Sequence, residues 1–66
     1  MPEPQVSWMA ERLARCAAID AWADYEQAVN DNADAEQRMS ALRAALAADD
    51  TAAQTTAAYQ AHLAAL

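Results

Sequence analysis

A chain of 66 residues holds one domain at most and buries only about 60% of its unfolded surface, so its core is thin. Residues classed as hydrophobic make up 56% of it, but 21 of them are alanine, and there is no phenylalanine, glycine or lysine. Ten acids against four arginines leave a net charge of −6, which argues against DNA, RNA or an anionic membrane as a direct partner.

Residues 1–5 read as a short, frayed lead-in. They lack the basic and apolar regions of a signal peptide, and no stretch is long and apolar enough to span a bilayer, so a cytoplasmic address is expected. A long helix over about 5–30 follows, because nothing in that stretch breaks one. Pro4 is tolerated at a helix start, and Ser7 is a second candidate cap. Glu11 and Arg15 form an i,i+4 pair in the favourable order, worth a few tenths of a kcal/mol.

The apolar residues of this helix fall on two faces. At about 100° per residue, Val6, Met9, Leu13 and Cys16 share one. Trp8, Ile19, Trp22, Tyr25 and Val29 share another, roughly opposite. Two apolar faces need two neighbours. One is expected to pack on the rest of the chain, with Cys16 as a small buried hydrophobe. The Trp8–Val29 face is expected to meet a second subunit or a partner protein, since Trp and Tyr are common interface anchors.

Asn30, Asp31 and Asn32 should end the long helix, because such residues compete for local backbone hydrogen bonds. Asp34 then reads as an N-cap with Gln37 at N3. Ala35, Met39, Leu42 and Leu46 form a single helical stripe to about residue 48. Asp49-Asp50 reads as an interruption, and Thr51 with Gln54 as a new capping box. Ala52, Thr56, Tyr59, Leu63 and Leu66 continue in a different phase. A modest repeat at an offset of 17 aligns the two segments. These features predict an antiparallel pair of shorter helices, about 34–48 and 51–65. The competing reading is a two-helix hairpin continuous from Ala33 to Leu66, because Asp-Asp-Thr is a weak stop without glycine or proline.

Chemistry-bearing residues are sparse. His62 is the one histidine, and its expected role is structural or as a cation near a helix C-terminus. One cysteine and one histidine do not make a zinc set, the Glu-x-x-His of di-metal bundles is absent, and no calcium-loop spacing occurs. No phosphate loop is available without glycine. No catalytic residue, metal or cofactor is therefore expected. Asp20, Asp24, Glu26, Asp31, Asp34 and Glu36 form an acidic block with no basic residue among them, either a solvated face or a surface for a basic groove.

The fold class expected is all-α, a small helical bundle in one domain over residues 1–66, dimerising through the long helix. The expected function is a non-enzymatic protein-binding module, a small acidic adaptor, inhibitor or regulatory subunit for a larger protein. An acidic mimic of nucleic acid is the first alternative. A small-molecule or metal site between subunits, using His62 or Asp24, is the second.

Overall fold

A computed structural model describes residues 8–66, so Pro4, Val6, Ser7 and the lead-in lie outside the described residues. Two helices account for almost all of it: α1, Trp8–Asn30, and α2, Ala35–Ala64. They pack side by side as an antiparallel hairpin, and no strand occurs among the described residues.

The turn between them is built from its own polar residues. Asn32 takes φ 58°, the left-handed conformation that asparagine tolerates better than most residues. The Ala33 N–H then reaches back to the Ala28 carbonyl at 3.0 Å, and the Asn32 N–H to the Val29 carbonyl at 3.2 Å. This paired closure satisfies carbonyls that the end of α1 would otherwise leave open. Asp34 caps α2, its Oδ1 accepting from the Gln37 N–H at 2.8 Å.

The α2 helix runs through Asp49-Asp50 without a break, which corrects the expectation of two helices at 34–48 and 51–65. Thr51 does not cap. Instead, the Thr55 hydroxyl donates to the Thr51 carbonyl, and the Gln54 amide donates to the Asp50 carboxylate. The physical reason is the lack of a true breaker. Both aspartates point to solvent, while alanines on either side keep the helix and its packing continuous. The bundle of three helices is thus a pair.

What packs between the helices is mostly alanine. Glu11, Ala14, Ala18, Ala21, Tyr25 and Ala28 line α1, spaced alternately three and four apart, and all are buried or half-buried. On α2 the same spacing selects Ala41 and then Ala45, Ala48, Ala52, Thr55, Tyr59 and His62. Such spacing is that of a coiled-coil seam. Methyl groups let the backbones approach toward the short end of the usual ~8–10 Å between helix axes. Ala45 is fully enclosed, and Ala18 and Ala52 nearly so, yet no large side chain among the described residues is fully buried.

The dimensions explain this. The molecule measures 49 × 19 × 14 Å. Its thinnest axis is about one helix diameter, ~10–12 Å. In a single layer of two helices each helix has one neighbour, so only the seam can be enclosed; Ala18, Ala45, Ala52 and Glu11 are buried there, while its larger members Tyr25, Tyr59 and His62 stay half-buried.

Candidate protein-interaction surface

The alanine seam places the large apolar side chains outside it. Beyond the seam and Ala33 in the turn, the half-buried residues are Trp22, Leu42 and Thr56. Each lies one position beyond a seam residue, and all three mark the same flank of the hairpin. Along the α1 edge of that flank run Trp8, Arg12, Arg15, Ile19, Trp22, Glu26 and Val29, spaced four, three, four, three, four, three. Along the α2 edge run Met39, Leu42, Leu46, Asp49, Ala53, Thr56 and Leu63.

One groove joins the two edges, and two more lie along α1. Tyr25, Val29, Ala35, Arg38, Met39 and Leu42 line an open groove of about 360 Å³ near the turn. Trp8, Glu11, Arg12, Arg15, Cys16 and Ile19 line another at the far end. Tyr25, Glu26, Val29 and Asn30 line a third. Trp8, Ile19, Val29, Met39, Leu46 and Leu63 remain between 42% and 67% exposed.

The polar contacts of the flank lie within α1, apart from one that crosses to α2. The Arg12 guanidinium sits over the Trp8 ring, 5.1 Å from its centroid. Trp22 and Tyr25 meet edge to face, centroids 6.0 Å apart and planes at 82°. Glu11 is the one buried ionisable residue among the described residues. It pairs with Arg15 at 2.6 Å and accepts from the Thr56 hydroxyl of α2 at 3.2 Å. A buried carboxylate is tolerated only with such partners. The helix pairing of Glu11 with Arg15 is legible in the sequence; its reach across the seam is not.

The Trp8–Val29 stripe divides accordingly. Trp8, Ile19 and Val29 are exposed, Trp22 is half-buried at the rim, and Tyr25 belongs to the seam. The other apolar face is corrected more strongly. Met9 and Leu13 are 55% and 62% exposed, and Cys16 is exposed, so that face does not pack on α2 and Cys16 is not a buried hydrophobe. The residues missed are the seam alanines, whose signal is the same three-four spacing on both helices.

The six acids of the candidate acidic surface are all exposed but do not form one patch. Asp34 caps α2, and Asp31 accepts from the Gln27 amide at 2.9 Å. Glu26 sits on the apolar flank, and Glu36 on the outer side of α2. Asp20, Asp24 and Asp31 remain together on the flank opposite the apolar one, which carries no arginine.

Cys16 and His62 are not brought together. Glu11 meeting Thr56 sets the register, which places Cys16 level with residues near 50 on α2. His62 stands in the last turn of α2, about twelve residues or ~18 Å further along the axis. No group of three His, Cys, Asp or Glu among the described residues is placed to hold a metal ion. No helix among them is long and apolar enough to cross a membrane. Comparison of the chain with family models, with curated proteins and with solved structures finds no match.

Proposed function

We propose that this hairpin is a non-enzymatic protein-binding module, a small acidic adaptor, inhibitor or regulatory subunit whose working surface is the apolar flank. One observation carries the reading. Alanine dominates the seam, while six of the nine large apolar residues exposed among the described residues, Trp8, Ile19, Val29, Met39, Leu46 and Leu63, stand along one side of the molecule. Exposed apolar surface gathered on one side marks an association surface far better than the same residues scattered singly. Tryptophans beside the seam and charges interspersed along the flank resemble the anchors and polar borders of protein interfaces.

The complementary surface is an amphipathic helical one with acidic residues at its margin, to meet Arg12 and Arg15. A photo-reactive residue placed at Ile19 or Leu46 should form adducts with polypeptide, whereas one placed at Asp24 or Ala47 should not. Equal labelling from all four positions, or none from any, defeats the reading.

A second reading draws on the opposite flank. Asp20, Asp24 and Asp31 stand there with no arginine, which suits a basic groove such as one that holds nucleic acid. Binding through that flank should fall steeply with added salt; binding through the apolar flank should change little.

A further inference from the structure

We propose that the apolar flank is closed by a second copy of this chain, forming an antiparallel four-helix bundle whose two-fold axis passes level with Ile19. The proposal rests on the protein-binding reading and names the occupant of that same surface.

Three observations on the flank converge on self-association. The first is area. With full side-chain areas of roughly 150–250 Å² for large apolar residues, the six exposed ones uncover on the order of 600 Å² per copy. A stable dimer hides about 800 Å² per partner, roughly two-thirds of it apolar in homodimers. The flank therefore carries about the apolar surface that one partner of its own size can cover.

The second is the order of residues along α1. A two-fold axis lying in the interface and perpendicular to the helices sets α1 antiparallel to its counterpart. With Ile19 on that axis, each residue faces one equally far on the other side. Arg12 then faces Glu26 of the partner subunit, seven residues on either side of Ile19. Offset by one residue from exact opposition, Trp8 lies beside Val29 of the partner subunit, and Arg15 beside Trp22 of the partner subunit, as a cation beside an aromatic ring. Apolar meets apolar and basic meets acidic, twice over, because an isologous interface repeats each contact.

The third is α2, which is brought antiparallel to its own counterpart by the same axis. The level of Ile19 crosses α2 between Leu46 and Asp49. Leu42 then stands against Ala53 of the partner subunit, a large side chain over a small one, and Leu46 stands against Asp49 of the partner subunit, the one apolar–charged pairing that the axis imposes along α2. Each helix has antiparallel neighbours on two sides, the up-and-down arrangement of four-helix bundles. Asp20, Asp24 and Asp31 stay outward on both copies.

The test is sedimentation velocity of the full chain over a wide concentration range, with helicity followed by circular dichroism as a folding check. The native chain should be a dimer. Ile19→Asp, at a position already 67% exposed within one copy, should keep its helicity but weaken the dimer at least a hundredfold, because two carboxylates meet near the axis. Arg12→Glu and Glu26→Arg should each weaken it on the order of tenfold, since each turns two attractions into repulsions. An equimolar mixture of these two variants should regain native-strength association, because every pairing across the mixed interface is then of opposite sign.

A dimer whose mixed variants fail to recover overturns the proposal through its geometry. A monomer at every concentration overturns it through its occupant. In that monomer, tryptophans open to acrylamide quenching leave the flank free for another protein, and the protein-binding reading stands. Tryptophans shielded in a monomer defeat both.

Discussion

Replacing Ala45 by leucine is the sharpest test of the seam. Ala45 is fully enclosed between the helices, and its neighbours along α2, Ala48 and Ala52, hold the same close approach. Leucine adds three carbons at a position already shut off from solvent, so the helices must separate or the side chain must leave its preferred rotamer. Overpacking of this kind costs about 1–3 kcal/mol. For a domain of this length, with roughly 4–8 °C of Tm per kcal/mol, that is a fall of about 4–24 °C. Thermal melting followed at the helical circular-dichroism band measures it, at one fixed protein concentration, because association shifts Tm by mass action. Ala47→Leu, on the exposed side of α2, serves as the control and should stay within about 0.5 kcal/mol of the native chain. A core built from the large apolar residues, with alanine as mere filler, predicts the reverse. If Ala45→Leu melts at or above the native temperature, the close-packed alanine seam is wrong.

Removing the α2 cap with Asp34→Ala should cost about 1 kcal/mol in chemical denaturation, whereas Thr51→Ala should be neutral or slightly stabilising. A comparable loss at Thr51 would restore the broken helix. Glu11 and Thr56 should show a coupling of about 0.5 kcal/mol or more in a double-mutant cycle of Glu11→Ala and Thr56→Val; strict additivity would mean that the bond across the seam does not form in solution. Asn32→Val should destabilise by about 1–2 kcal/mol, through the left-handed backbone it must hold, while Asn32→Gly should not. Equal melting of those two variants would count against the turn described.

The local signals are the legible part of this molecule. Asp34 with Gln37 marks the start of α2, and Asn30-Asp31-Asn32 marks the end of α1, because each acts through backbone hydrogen bonds within a few residues of itself. The seam is a different matter. With 21 alanines in 66 residues, an alanine stripe can be drawn in almost any register, and only a partner helix chooses one. Following the large apolar residues, a sound habit for chains with full cores, here traces exposed surface. Met9, Leu13 and Cys16 do share a face, as their spacing indicates, but α2 packs elsewhere. The Asp49-Asp50 break fails for a related reason. The phase change from Met39–Leu46 to Ala52–Leu63 is a change from flank residues to a mixture of seam and flank on one continuous helix, and spacing alone does not distinguish it from a new helix.

The turn at 31–34 also governs how such a chain folds. Every contact between the helices pairs residues whose separation grows steadily with distance from the turn, and it has reached 45 residues at the Glu11–Thr56 bond. Closing the nearest pairs costs least loop entropy, and each closed pair shortens the loop that the next must close. The hairpin can therefore zip outward from Asn32, at speeds typical of local helical topologies. It comes apart in the opposite order. Trp8 and Leu63, at the end remote from the turn, are released first, so amide exchange should be fastest there and slowest beside Ala28 and Ala41.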